Sequence, residues 1–283
     1  PRLSVKISLD SLQSVKLSYN RTRQYLHLVS NTSSPSPLDI WVPSNKYIKP
    51  QIADQLAVGY FRNFANNAYE SSAEVYYKDM QNQIDYRDGA NLFLNKHIET
   101  EMLRGKAYSY GLELMLKKNT GKLTGWISYT LAKTWRKIPG INNGQRYASS
   151  YDRTHDISVI AAYEIDDRWS LSAAWVFASG SPTTYPVAKY EIEGSSTVYY
   201  SERNAYRLPA YHRLDLGATY EPRGNKTHKW QSSWSFSLFN VYSRRNAYSI
   251  SFRPNQDNPS VSEAVRLSVI GSIIPSATYN FNF

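Results

Sequence analysis

Histidines lying near carboxylates are the first residues whose chemistry could matter. His155 has Asp152 before it and Asp156 after it, His212 precedes Asp215, and His97 stands apart upstream. A histidine within hydrogen-bonding reach of a carboxylate could relay a proton in hydrolysis. Neighbours on an extended strand point to opposite faces, however, so His155 and Asp156 cannot form a direct pair, and His212 and Asp215 also differ in phase. There is no Gly-x-Ser-x-Gly, no phosphate-binding loop and no His-x-x-x-His spacing. No catalytic residue, metal ligand or cofactor is therefore assigned, and the chain is not read as an enzyme. A protease working through these carboxylates and histidines is the enzymatic alternative.

The richer chemistry is aromatic. Trp41, Tyr47, Tyr86, Tyr147, Tyr185, Tyr190, Tyr199, Tyr200 and Tyr206 fall in long polar segments, with Arg153 among them. Aromatic faces stack on sugars, peptides and ring systems, and loops on a rigid scaffold commonly carry binding residues. These ten are the ligand-binding candidates; the alternative for each tyrosine is loop-against-loop packing or a place among lipopolysaccharide headgroups. Arg136, Lys137, Arg146, Arg203, Arg207, Arg244 and Arg245 lie in similar places. They could meet lipid phosphates or an anionic ligand. They are dispersed and form no single stripe, which disfavours nucleic acid.

What must position these residues follows from the totals and the periodicity. The 283 residues contain 33 Lys+Arg against 23 Asp+Glu, a net charge of +10, and no cysteine, so disulfides, Cys-ligated metals and cysteine nucleophiles are excluded. Aromatics make up 14%, with 24 Tyr, too many for a disordered chain. No run approaches the roughly 18 apolar residues of a spanning helix. The sequence opens at Pro1 with neither a charged nor an apolar leader behind it.

Period-two alternation recurs instead. Leu3, Val5, Ile7 and Leu9 alternate with polar neighbours, as do Tyr108 to Leu116, Ile157 to Ile165, Trp169 to Phe177, Leu214 to Tyr220, Trp234 to Leu238 and Ala277 to Phe283. About eleven antiparallel strands of roughly 9–14 residues result, long enough to cross a bilayer at a tilt. Their connections alternate. Tight links at Asp10-Ser11, Phe64–Asn67, Asn119–Gly121 and Asp166-Asp167, and a moderate one at Glu221–Lys229, interleave with long ones at Asn31–Tyr47, Met80–Glu101, Lys137–Tyr151, Ser179–Leu208 and Arg244–Val261. Short turns on one rim and long loops on the other mark an outer-membrane barrel. Trp169 and Trp230 after turns, and Trp135 and Phe177 near long loops, suit two water–lipid interfaces. A soluble β-sandwich with a tyrosine-rich core is the competing reading. Eleven strands cannot close with an antiparallel seam, so the expectation is an all-β chain that forms part of a larger barrel.

Several blocks carry a resemblance. Ser18-Tyr19-Asn20-Arg21, Lys49-Pro50-Gln51 with Asp54, Tyr110-Gly111-Leu112-Glu113, Gly125-Trp126-Ile127-Ser128-Tyr129-Thr130, Tyr151 to Asp156, Tyr211-His212-Arg213-Leu214-Asp215-Leu216, Leu238-Phe239-Asn240-Val241-Tyr242 and the terminal Tyr279 to Phe283 occur in this order. In that order they resemble TonB-dependent outer-membrane receptors of the Bacteroidetes type. The resemblance implies that residues 1–283 are the C-terminal half, eleven strands, of a 22-stranded antiparallel transmembrane barrel. Its plug, TonB box and first strands would lie outside this chain. It further implies multi-pass residence in the bacterial outer membrane and uptake of a nutrient such as a glycan, peptide, siderophore or cobalamin-like compound. The implied partners are the N-terminal half-barrel and plug, TonB–ExbB–ExbD, outer-membrane lipid and lipopolysaccharide, and a surface lipoprotein. A passive pore or barrel scaffold is the alternative.

Overall fold

The computed structural model describes residues 1–30, 39–90, 95, 97–192, 195–222, 231–255 and 262–282. Eleven strands lie side by side in sequence order: β1 (Arg2–Ser8), β2 (Gln13–Gln24), β3 (Gln51–Phe64), β4 (Tyr69–Tyr86), β5 (Met102–Lys118), β6 (Leu123–Lys137), β7 (His155–Glu164), β8 (Trp169–Ala178), β9 (Tyr211–Tyr220), β10 (Gln231–Phe239) and β11 (Ile274–Asn282). A two-residue strand, Tyr147–Ala148, adds to the end of β6. Every neighbouring pair is antiparallel, so β1 and β11 run in the same direction, and each is paired on one side only among the described residues.

Alternation along each strand becomes two distinct faces across the sheet. One cross-strand row reads Val5, Leu17, Val58, Val75, Leu112, Leu131. Another reads Leu116, Ile127, Val159, Trp175, Leu214, and a third Ala173, Leu216, Leu238, Pro275. These side chains are not packed away: Val75 is 51% exposed, Ile127 50% and Leu238 40%. The opposite face carries small and polar rows, such as Ser172, Gly217, Ser237, Ser276, with the last two hydroxyls 2.7 Å apart. A water-soluble sandwich would bury the apolar rows against a second layer. Here they form the outside, which suits hydrocarbon, while the polar face suits a lumen.

Aromatic pairs border the apolar band. At the short-turn rim Phe64 stacks on Tyr69 (5.1 Å), while Trp169 meets Tyr220 and Trp234 meets Tyr279 at a tilt (both 4.9 Å). At the other rim Tyr129 Oη meets His155 Nδ1 at 2.9 Å and Tyr242 Oη meets His212 Nδ1 at 2.8 Å. Trp135 and Phe177 hold the places expected near the long loops; Trp230 and Phe283 lie outside the described residues.

The short turns close by local chemistry. Asp10 Oδ1 accepts from Leu12 N (2.7 Å), Asp166 Oδ1 accepts from Arg168 N and Trp169 N (2.8 and 2.9 Å), and Ala65, Asn66 and Asn67 adopt positive φ. Gly111 serves packing: a Cβ there would sit 2.8 Å from the Tyr76 ring that lies across it on the polar face.

Two expectations about the far rim need correction. The stretch after Met80 is not yet loop: β4 runs 18 residues to Tyr86, across a bulge at Asn82 (φ 56), and is matched by 17 residues of β5. Met-Gln-Asn-Gln loses the apolar alternation because it has left the lipid, while its backbone bonds to β5 continue. The long links also carry hairpins of their own: Leu26–Ser30 with Asp39–Pro43, Pro186–Ile192 with Ser195–Tyr200, Pro182–Thr183 with Tyr206–Arg207, and Ser249–Pro254 with Ser262–Leu267.

The facial assignment predicts an asymmetric response to charge. In the full-length protein folded into lipid vesicles, Leu114→Arg in the apolar band should cost about 2–4 kcal/mol in denaturant titrations. Ser128→Arg on the polar face should cost under about 1 kcal/mol. Equal costs would refute the orientation of the sheet.

Candidate functional site

The long-loop rim is organised around two buried carboxylates. Asp85, near the end of β4, receives Arg203 Nη1 at 2.9 Å and the Tyr147 hydroxyl at 2.9 Å, with Arg136 Nη1 at 3.5 Å. Arg203 Nη2 also donates to Tyr86 O (3.0 Å) and Asp88 Oδ1 (2.9 Å), and its side chain is 2% exposed. Around this core Asn142 Oδ1 accepts from Arg203 N (2.7 Å) and Asn204 Nδ2 donates to Ala148 O (2.8 Å). Asp152 is the second centre: its carboxylate accepts from Thr134 N (2.6 Å) and from the Arg207 guanidinium, with Lys133 Nζ at 3.9 Å. Asp88 and segments 142–152 and 203–207 are thereby bolted to the ends of β4 and β6. A buried ion pair of this kind is costly to break from one side, because the other charge stays desolvated.

Burial, followed by the neighbouring Asp85 charge, pushes the Tyr147 phenol above its ordinary value. The folded form therefore keeps a proton that the unfolded chain gives up near pH 10. Stability from this group is complete below that pH and is lost as pH rises further. Desolvation in turn pushes the His27 imidazole down.

Beneath this rim, on the polar face, β2 to β6 and segment 138–154 enclose a recess of about 400 Å³. Its wall is one cross-strand row, Thr22, Ala53, Met80, Ala107, Arg136, joined by Gln24, Gln51, Lys78, Gln83, Thr134, Ser149 and Tyr151. Gln83 Nε2 donates to Gln51 Oε1 at 3.1 Å, and Thr134 Oγ1 lies 2.9 Å from Ser109 Oγ. Leu28 and Ile52 complete the lining, so amides, hydroxyls and two cations share it with apolar side chains, and among the described residues no carboxylate does. Such a surface offers hydrogen bonds and positive potential to a polar or anionic solute.

The aromatic candidates divide. Tyr86 (0% exposed) and Tyr147 (3%) are packed inside the loop assembly and offer no open ring face. Tyr185 is half-buried between Tyr206 (5.3 Å) and Phe252 (5.2 Å). Tyr190 meets Tyr199 edge-on at 6.1 Å, and Tyr200 is half-buried at the foot of that hairpin. Trp41, Tyr47, Tyr199 and Tyr206 are exposed, Lys46 sits over the Tyr47 ring, and Arg153 is exposed. None of the ten lines the recess. Most recess residues escape sequence reading because isolated glutamines and a lysine on alternating strands carry no chemical motif; Arg136 stands out by its charge, and Gln51 and Tyr151 only as parts of the blocks that carry the resemblance.

His155 and Asp156 fall on opposite faces, as alternation requires. His212 points outward to Tyr242, while Asp215 points inward, accepts from Arg213 Nε (3.0 Å) and from Asn240 N (2.9 Å), and ties β9 to the end of β10. Arg213 in turn covers the Phe239 ring at 4.1 Å.

The sequence matches the family described as TonB dependent receptor-like, beta-barrel over residues 1–242. No curated protein matches the chain. Among solved structures, the ferripyoverdine receptor of Pseudomonas aeruginosa superposes with TM-score 0.61 at 14% identity, covering 100% of this chain and 33% of that one. The ferric yersiniabactin uptake receptor FyuA of Yersinia pestis gives 0.64 at 14%, covering 100% and 37%. The siderophore receptor PiuA of Acinetobacter baumannii gives 0.61 at 15%, covering 99% and 35%. The chain spans about a third of the length of these structures.

Asp85→Ala should cost the loop assembly up to about 3 kcal/mol, because buried Arg203 would keep only the exposed Asp88 as its counter-charge. Hydrogen exchange should accelerate together in segments 84–88, 141–148 and 203–204 while β7 to β9 keep their protection. The same segments should loosen as pH passes about 10, and Tyr147→Phe should remove that dependence.

Proposed function

Because the chain belongs to the TonB-dependent receptor-like β-barrel family, we propose that it forms one side of an outer-membrane transporter that admits a polar nutrient under TonB control. The observation that carries this is the recess of about 400 Å³ on the lumenal face beneath a rim of locked loops. A rigid rim presents its contacts without the ordering cost that mobile loops would impose on binding.

In this reading β1 and β11 pair with the strands of an N-terminal half-barrel, since unpaired sheet edges are not tolerated in hydrocarbon. A plug fills the resulting lumen and reaches TonB–ExbB–ExbD on the periplasmic side, and a surface lipoprotein could close the mouth from above. Glycan, peptide, siderophore and cobalamin-like cargoes remain within the class. The absence of carboxylates from the recess lining among the described residues favours a neutral or anionic cargo over a cationic one. The exposed rings of Trp41, Tyr47, Tyr199 and Tyr206, with Arg153, are proposed to meet cargo first at the rim.

The test is growth of a strain lacking the full-length receptor on single candidate nutrients, complemented with wild-type and variant genes. TonB-dependent rescue by wild type is expected. Lys78→Glu and the pair Gln51→Ala, Gln83→Ala should raise the nutrient concentration needed for half-maximal growth at least about tenfold, the loss of about 1.4 kcal/mol of binding. Rescue that persists without TonB would establish a passive pore instead.

A further inference from the structure

The hairpin of Leu26–Ser30 with Asp39–Pro43 stands beside the recess and has two unlike faces. Register sets His27 opposite Val42 and Val29 opposite Ile40, so these four share one face, while Leu28 and Trp41 share the other. Leu28 lines the recess, and Trp41 is exposed. The first face is packed away. Val29 and Val42 join Ile48, Ile84 and Tyr86 in an apolar cluster, with Ile40, Ile98 and Met102 against it. His27, in the same face, is 1% exposed.

The ring has one partner. His27 Nε2 lies 2.8 Å from Ser44 Oγ, and Nδ1 is buried with no partner. A neutral imidazole tolerates this, since one nitrogen exchanges a hydrogen bond with the hydroxyl and the other stays bare. An imidazolium does not: both nitrogens then carry hydrogens, and the one at Nδ1 has no acceptor while the ring bears a full charge away from water.

Among the described residues no charge nearby offsets that cost. Within the hairpin, Asp39 has the phase of Trp41 and not of Val42. On the turn that carries Ser44, Lys46 and Lys49 are exposed, and Lys46 lies over the Tyr47 ring. From β4 the cluster receives Ile84 and Tyr86; Asp85, of opposite phase, is bound to Arg203 and Tyr147, and Arg87 is paired with Glu101. On segment 97–102, His97 is exposed, Glu99 is half-buried and Glu101 is held by Arg87. Burial alone acts on the His27 imidazole, and it holds the pKa below the ordinary value.

We propose that His27 makes this hairpin an acid-sensitive flank of the recess: with a neutral ring the hairpin stays seated on Ile48, Ile84 and Tyr86, and with a protonated ring it is released and takes Leu28 with it. The bearing of this on cargo rests on the reading of the recess as the place where cargo is held. The sign follows from burial. A released ring takes up a proton near about pH 6.5, whereas the seated ring resists it. Seating is therefore complete above that pH and weakens as pH falls below it. Each pH unit below is worth up to about tenfold, so at about pH 5 the released fraction should rise by up to about thirtyfold.

Hydrogen exchange of the full-length protein in lipid nanodiscs, at about pH 5 and about pH 7.5 and corrected for intrinsic rates, reads this directly. In wild type, residues 24–30 and 39–45 should lose about tenfold or more of their protection at the lower pH, while β7 to β9 should lose none. His27→Leu and His27→Gln, neither of which takes up a proton, should give equal protection at both pH values. Imidazoles are the side chains that ordinarily titrate in this interval, so His97→Gln on the neighbouring segment is the control and should keep the wild-type response. Heat-modifiable gel mobility verifies that each barrel is folded. Unchanged protection in wild type would overturn the proposal, and so would an equal loss in both His27 variants. Exchange needs no cargo, so the result stands apart from the transport reading, which TonB-dependent growth tests on its own.

Discussion

Everything in this sheet depends on the fact that hydrocarbon offers no hydrogen bonds. A strand in lipid must give all its backbone N–H and C=O groups to neighbouring strands, which forces the unbroken antiparallel succession from Arg2 to Asn282. With the backbone thus satisfied, side chains alone decide which face meets lipid. The rows through Val5, Ile127 and Ala173 settle it, since each continues across several strands without a charge. Polar atoms gather on the other face, and that face is where a solute could be handled.

The rim obeys a different physics. Above the lipid the backbone has water available, so continued pairing of β4 with β5 is no longer compulsory, and specificity passes to ion pairs. Asp85 and Asp152 are nearly inaccessible, at 8% and 1% side-chain exposure. Each is compensated by arginine from a segment far away in sequence. Arginine suits this role because its planar fork can serve a carboxylate and a carbonyl together, as Arg203 does with Asp85 and Tyr86. The membrane part is thus specified by pattern and the rim by a few long-range contacts.

That division explains what could be read in the sequence. The strand count, the pairing order, the short-turn chemistry and the two-faced alternation are local, period-two properties, and all were legible. The extension of β4 to Tyr86 was not, because Met-Gln-Asn-Gln has no alternating polarity. Tyr86 and Tyr147 looked like ligand platforms from composition, yet they pack inside the rim, because a tyrosine near a buried aspartate and one near solvent read identically in one dimension. The recess lining was likewise hidden: Gln24, Gln51 and Gln83 converge through register, and register is set by the pairing of whole strands.

The 18 residues of β4 amount to roughly 60 Å of strand, whereas about 30–35 Å suffices to traverse the bilayer. Paired with β5 and braced through Asp85, the surplus stands as a stiff parapet beyond the apolar band. Whatever arrives at this side of the wall meets hydrogen-bonded sheet braced by a buried ion pair, a fixed shape that the register of two strands dictates.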